Sequence, residues 1–175
     1  MKAIISLDYS VESILADLYN SSLSGFFKFI TEFGSIPVVI LLFACIFYFL
    51  WRKGDRSLAK RFAFFFGLNE VAVYLIKIFI NRPRPFGALP LGETSGSFPS
   101  GHATASIFIY GFIIYYLSKN YLTGPKKKIV NALLVSLIIL IGFSRLYLNA
   151  HFFLDVVGGY LLGATFLTLL LRSKN

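Results

Sequence analysis

The sequence predicts an all-α, integral membrane helical bundle, and three observations carry that expectation. The 175 residues are 57% hydrophobic and only 14% charged, more apolar and less charged than ordinary soluble domains. Five long apolar runs approach the length, roughly 17–25 residues, that a helix needs to cross a bilayer. Basic residues gather at the ends of those runs on one side, as cytoplasmic loops do. The length suits one domain, 1–175.

The first element, 1–34, is an amphipathic segment. Leu7, Val11, Ile14, Leu15, Leu18, Leu23, Phe26, Phe27 and Ile30 mostly follow a helical period, while Asp8, Glu12 and Asp17 occupy other faces. It is too polar to span, and it lacks the basic start and short apolar core of a signal peptide. An extracytoplasmic helix lying in the outer interface fits this pattern. A helix packed on the bundle through the same stripe fits it equally. The five spans follow at 36–51, 61–80, 102–117, 129–148 and 152–171. Cys45, alone in the first span, allows no disulfide framework and is expected as a small core residue. Gly159 and Gly163, four apart in the last span, are spaced to let another helix come close.

Charge sets the orientation. Arg52, Lys53, Arg56, Lys60, Arg61, Lys119, Lys126, Lys127, Lys128, Arg172 and Lys174, eleven of the seventeen basic residues, fall on one side. The positive-inside tendency makes that side cytoplasmic. The net charge of +9 is then mostly a topology signal, not the basic face of a nucleic-acid binder. The expected location is the cytoplasmic (inner) membrane, with the opposite face extracytoplasmic or periplasmic. Four of the other six basic residues lie there, in the first and third of three polar islands. Ionisable groups at membrane depth are costly and mark functional sites by default.

The first island runs from Lys77 to Pro85. Pro83 and Pro85 lack backbone donors and restrict their predecessors, so the second span should end near Asn81. An Arg84 guanidinium and a Lys77 ammonium converging on one point suit a phosphate; snorkelling to headgroups is the ordinary alternative. Residues 81–99 hold four of the six prolines plus Gly87, Gly92 and Gly96, which argues for an ordered active-site loop.

Pro99-Ser100-Gly101-His102 opens the third span. A helix start offers unpaired N–H groups and the positive dipole end, a ready anion site. Ser100 can cap and donate its hydroxyl, Gly101 lets an oxygen approach the backbone, and His102 can protonate a leaving oxygen. A plain serine cap beside an interfacial histidine is the alternative.

The third island joins the last two spans. His151 and Asp155 are four apart, so a helix beginning near His151 puts them on one face. A carboxylate on one ring nitrogen fixes the tautomer and leaves the other as a nucleophile. Arg145 adds a third cation for phosphate oxygens; a buried ion cluster holding helices together is the alternative. His102, His151 and Asp155 also match a two-His, one-carboxylate metal set. The cations Lys77, Arg84 and Arg145 would repel a divalent ion, and only Glu93 adds a carboxylate on that side, so no metal is expected. Glu70, seven residues from Lys77, lies about 10 Å deeper on the same face. It and Asn69 are expected to make a structural polar contact.

Lys77-x6-Arg84-Pro85, Pro99-Ser100-Gly101-His102 and Ser144-Arg145-x5-His151-x3-Asp155, in that order, resemble the type 2 phosphatidic acid phosphatase superfamily. The resemblance implies metal-independent hydrolysis of a phosphomonoester or diphosphate through a phosphohistidine, with no cofactor. It implies His151 as nucleophile, Asp155 as its orienter and His102 as the acid that later helps to activate water. Lys77, Arg84, Ser100, Gly101 and Arg145 would bind the phosphoryl oxygens; Arg82 and Asn149 receive no role. Membrane members commonly have six spans against five here, which points to a wider lateral entrance, and no appended domain is expected. The partners implied are the membrane and a phospholipid or lipid A-type substrate, with no nucleic acid. Lipid A 1-phosphate is preferred slightly over undecaprenyl diphosphate, phosphatidylglycerophosphate and phosphatidic acid. An anion or lipid transporter and a non-catalytic lipid-binding protein compete with this reading. A vanadium haloperoxidase shares the phosphate motif but is soluble.

Overall fold

The computed structural model describes residues 2–18, 21–85 and 95–173, leaving aside the side chains of 2–5, 16, 17, 21 and 22. Gly87, Gly92 and Glu93 of the expected loop, and Lys174, lie outside the described residues. The order is α1 (Lys2–Asp17), α2 (Ser21–Glu32), α3 (Ile36–Lys53), α4 (Arg56–Ile80), α5 (Gly101–Asn120), α6 (Gly124–Tyr147) and α7 (Phe153–Arg172).

Local chemistry sets the helix ends. Pro37 and Pro125 sit in the first turns of α3 and α6, where a fixed φ helps and the missing N–H is not needed. Gly54, at φ 94°, closes α3 in the left-handed region that glycine enters freely. Helix α4 stops at Asn81, as the prolines predict, with the Asn81 N–H donating to the Lys77 carbonyl at 2.9 Å. Most helices run beyond the predicted spans: α3 reaches Lys53, and α4 begins at Arg56. Hydropathy registers the solvent around a residue, whereas the backbone ladder continues through the first charged turn.

Four stretches are long and apolar enough to cross a membrane: Leu23–Lys53, Arg56–Ile80, Gly124–Tyr147 and Phe153–Arg172. The expected span at 102–117 is α5, which is outside that set. Packing explains its polarity, because α5 is the central helix, touching α3, α4, α6 and α7. Its buried Thr104 and Ser106 hydroxyls donate to the Ser100 and Ala103 carbonyls, satisfying themselves within the helix. Against its own Phe108 and Phe112 pack Val39, Leu50, Phe62 and Leu170. Outward-facing Leu41, Phe64, Tyr74, Phe79, Ile139 and Leu161 are exposed, the surface of an integral membrane protein. Cys45 is exposed on α3 rather than in the core.

Gly159 and Gly163 seat α7 against α5. A methyl group on Gly159 would lie 2.6 Å from the Ser100 carbonyl oxygen, and one on Gly163 would collide with the Thr104 carbonyl. Gly163→Leu should destabilise the bundle by about 1–3 kcal/mol, the usual effect of overpacking. Thermal unfolding in detergent checks this; an unchanged midpoint refutes the close approach.

The N-terminal segment differs most from expectation. It forms two helices, α1 against α6 and α7 and α2 against α6. Phe27 on α2 stacks near Tyr147, with ring centroids 4.4 Å apart. On α1 the apolar stripe does not face the bundle: Leu7, Ile14 and Leu18 are exposed and Asp8 is buried. A charged partner waiting on the bundle reverses what hydropathy predicts.

Candidate active site

All three islands meet at one end of the bundle, opposite the ends that carry Arg52, Lys53, Lys60, Lys119 and Arg172. From α4, the Lys77 ammonium donates to the Gly96 carbonyl at 2.6 Å. Beyond Asn81 the chain doubles back, with the Ser97 N–H donating to the Arg82 carbonyl at 2.8 Å and the Ser97 hydroxyl to that of Pro83 at 3.0 Å. Arg84 is thereby aimed across the site. Its Nε donates to the Ser95 carbonyl at 3.1 Å, its Nη1 donates to the Ala150 carbonyl at 2.8 Å, and Nη1 stands 3.4 Å from His151 Nε2.

At the start of α5, Ser100 is the cap, accepting from the Ala103 N–H at 3.4 Å. Its own N–H donates to the Asp155 carbonyl at 2.9 Å, tying the second island to the third. A methyl group on Gly101 would meet only Val73, at 3.9 Å, so neighbouring protein does not demand glycine there. His102 is held by an unforeseen residue: a methyl group on Gly34, between α2 and α3, would lie 3.1 Å from the His102 ring and 2.7 Å from Ile141.

His151 is delivered by the C-terminus of α6. Asn149 takes φ 54°, and the Asn149 and Ala150 N–H groups donate to the Leu146 and Arg145 carbonyls at 2.9 Å each. This is a Schellman turn with asparagine in the left-handed position. It gives Asn149 the role that the motifs left blank. Helix α7 begins at Phe153, two residues after His151, so the histidine lies in the turn just ahead of it. His151 Nδ1 and Asp155 Oδ2 are 3.6 Å apart, both groups buried. Asp155 Oδ2 also accepts the Phe152 N–H at 2.9 Å. Arg145 is buried under α2, where its Nη1 donates to the Thr31 hydroxyl at 3.0 Å.

Arg82, for which the motifs gave no role, lies between two carboxylates. Its Nη1 donates to Asp155 Oδ1 at 2.7 Å and its Nη2 to Asp8 Oδ2 at 2.5 Å. Burial opposes its charge, but the carboxylates outweigh burial and hold its pKa above the ordinary value. Asp8 therefore joins the site, correcting the expectation that Glu93 supplies the only other carboxylate on this side. Hydropathy could not find it, because it read Asp8 as a solvated face.

A cavity of about 620 Å³ opens between α3 and α4 and reaches the site. Val39, Ile40, Phe66, Val73 and Tyr74 line its apolar part, and Lys77, Gly96, Gly101 and His102 its polar end. Glu70 also lines it; its carboxylate accepts from the neighbouring Asn69 amide at 3.0 Å, so the expected polar contact is with its own helix. The structure links His151, Asp155, Arg84 and Ser100 through direct contacts and the Arg145 carbonyl through the turn before His151, while Lys77, Gly101 and His102 line the cavity. Within this set three cations, Lys77, Arg84 and Arg145, stand against one carboxylate, Asp155, and Arg82 with Asp8 adds one charge of each sign, an environment for an anion. An imidazole with a carboxylate behind it and a guanidinium in front can attack the centre of such an anion.

The PAP2 superfamily model matches residues 58–175. Phosphatidylglycerophosphatase B of Bacillus subtilis is 34% identical over 77% of this chain, which spans 66% of that protein, just under two thirds. The undecaprenyl-diphosphatase of Sulfolobus acidocaldarius is 29% identical over 97% of this chain and 82% of its own. Among solved structures, the transmembrane PAP2-type phosphatidylglycerolphosphate phosphatase of Bacillus subtilis superposes with a TM-score of 0.81 at 28% identity, covering 97% of this chain and 85% of that one. Aquifex aeolicus LpxE gives 0.73 at 27% identity, covering 94% of each chain.

Proposed function

This chain belongs to the PAP2 superfamily, and from that premise we propose that it hydrolyses a phosphate from a membrane lipid through a phosphohistidine. The observation that carries the reading is the setting of His151, with Asp155 behind Nδ1 and Arg84 in front of Nε2. The Nε2 lone pair attacks phosphorus, and the bond from phosphorus to the lipid oxygen breaks. His102 gives its proton to that oxygen. In the second half His102 takes a proton from water, the hydroxide attacks phosphorus, and the phosphorus–nitrogen bond breaks to release phosphate. Lys77, Arg84, Arg145, the Ser100 hydroxyl and the Gly101 amide hold the equatorial oxygens, where charge spreads in the transition state. These fixed cations do the electrostatic work that a metal does elsewhere, so the reaction proceeds without one. Of the expected loop, the described residues 81–85 and 95–99 border this site.

The site faces the extracytoplasmic side, since the positive-inside loops lie at the other end of the bundle. A lipid enters head first through the α3–α4 cavity, chains against the apolar wall and phosphate toward Lys77. We place phosphatidylglycerophosphate first among substrates, because the relative of that name and its structure resemble this chain more strongly than the Aquifex protein does. A polyprenyl diphosphate is the second reading, favoured by the near-complete coverage of the undecaprenyl-diphosphatase match. Lipid A 1-phosphate, preferred from the sequence, drops behind both.

Phosphate release by the purified protein from phosphatidylglycerophosphate, phosphatidic acid, undecaprenyl diphosphate and lipid A, each with excess EDTA, tests the proposal. The expected result is turnover that EDTA leaves unchanged, fastest on phosphatidylglycerophosphate. Turnover abolished by EDTA and restored by a divalent ion overturns metal independence; no turnover on any lipid overturns the function.

A further inference from the structure

The mechanism above leaves Asp8 and Arg82 unused, although Arg82 touches Asp155 and Asp8 touches Arg82. Arg82 forks between Asp155 Oδ1 at 2.7 Å and Asp8 Oδ2 at 2.5 Å. The Asp155 and Asp8 side chains are 0% and 1% exposed. The guanidinium carbon lies 4.4 Å from the centre of the Phe152 ring, and Tyr9 packs edge-on against that ring at 5.9 Å. Asp8 Oδ1 accepts the Leu154 N–H at 3.0 Å, in the first turn of α7. Such burial is unfavourable for a carboxylate without compensating partners, and Asp8 has two.

The division of contacts at Asp155 is informative. Oδ1 belongs to Arg82, while Oδ2 takes the Phe152 N–H and faces His151 Nδ1. With Oδ1 pinned, the carboxylate cannot rotate about its Cβ–Cγ bond and carry Oδ2 off the imidazole. Arg82 also competes with the imidazolium for the Asp155 charge, and Asp8 offsets that competition by taking half of the guanidinium fork. We propose that Asp8 and Arg82 are positioning residues, acting in series to set the orientation and basicity of the Asp155–His151 pair, with α1 as the strap that brings Asp8 to the site. This rests on His151 being the nucleophile. Asp8 lies ahead of residue 58, where the family match begins.

The charged and titratable groups around His151 are Asp155 from α7, Arg82 and Arg84 from the segment after α4, Arg145 at the end of α6, and Asp8 from α1 acting through Arg82. Among the described residues, Lys77 and His102 add to these from the cavity side. Against that background the two charges have opposite effects. Without the Arg82 cation, Asp155 stabilises the imidazolium more strongly, so neutral His151 needs a higher pH. Without the Asp8 charge, Arg82 leans fully on Asp155, the imidazolium is less stabilised, and neutral His151 persists to lower pH. The acid limb of kcat/KM reports the free enzyme's group.

Arg82→Gln, Asp8→Asn and the double variant should be assayed as purified full-length protein on whichever of the four lipids the wild type hydrolyses fastest. Asp8→Asn removes the charge yet keeps an oxygen for the Leu154 N–H. Arg82→Gln should lower kcat about 10- to 100-fold with KM changed less than about threefold, on the scale of a lost positioning group. Its acid limb should move up by about half a unit to one unit. Asp8→Asn should lower kcat by a smaller factor and move the limb down. The double variant should match Arg82→Gln within about twofold, because Asp8 acts through Arg82. Limbs that move together or not at all, or losses that multiply, overturn the proposal. If Arg82→Gln aggregates, Asp8→Asn decides alone: an unmoved limb overturns it. A wild type inactive on all four lipids overturns the proposed function and this inference with it, whereas an active wild type with unmoved limbs overturns only the inference.

Discussion

His151→Ala should reduce hydrolysis by about 10⁴-fold or more, the scale on which enzymes lose activity with their nucleophile. The imidazole has the Asp155 carboxylate 3.6 Å from one nitrogen and the Arg84 guanidinium 3.4 Å from the other, the setting on which the proposed nucleophile rests. The truncation leaves the frame standing. The turn that delivers residue 151 is built from backbone groups of Arg145, Leu146, Asn149 and Ala150, and Arg84 keeps its 2.8 Å hold on the Ala150 carbonyl when the ring is removed. Phosphate and lipid binding should therefore survive within a few-fold while turnover disappears. That pattern separates an enzyme from a transporter or a lipid-binding protein using the same cations. Hydrolysis at the wild-type rate would exclude His151 as nucleophile, and loss of binding with turnover would point to collapse of the site.

The second large effect belongs to Arg84. Arg84→Ala should lower kcat/KM by about 10²- to 10³-fold, as loss of a preorganised donor to developing charge does. Arg84→Lys should recover only part of it. The guanidinium uses its width: Nε holds the Ser95 carbonyl while Nη1 holds the Ala150 carbonyl and faces His151. An ammonium supplies charge but cannot bridge the loop and the nucleophile's turn in one plane. Steady-state rates of both variants decide the matter, and a lysine variant with wild-type activity would reduce Arg84 to a point charge.

Much of this was legible in the chain itself. Pro83 and Pro85 ended α4 where expected, and Ser100 opened α5 as a cap. Gly159 and Gly163 made the close approach that their spacing announced. The exceptions share a cause. Helix α5 reads as a marginal span because its hydroxyls are satisfied internally, a fact about its neighbours and hydrogen bonds. Gly34 carries no local signal, and its part shows only with the His102 ring packed beside it. Asn149 was a blank between Arg145 and His151 until its positive φ explained how one reaches the other.

The sequence alone determined the class of molecule and the chemistry it holds, because hydropathy, charge asymmetry and residue type are properties of single positions and short spacings. It specified a membrane bundle, a set of cations, two histidines and a carboxylate. Only the tertiary structure decided which charges face one another. Asp8 and Arg82 are 74 residues apart, and no local pattern distinguishes a carboxylate in water from one buried against a guanidinium. That distinction depends on desolvation and on a partner's position in space, and both exist only once the helices have packed.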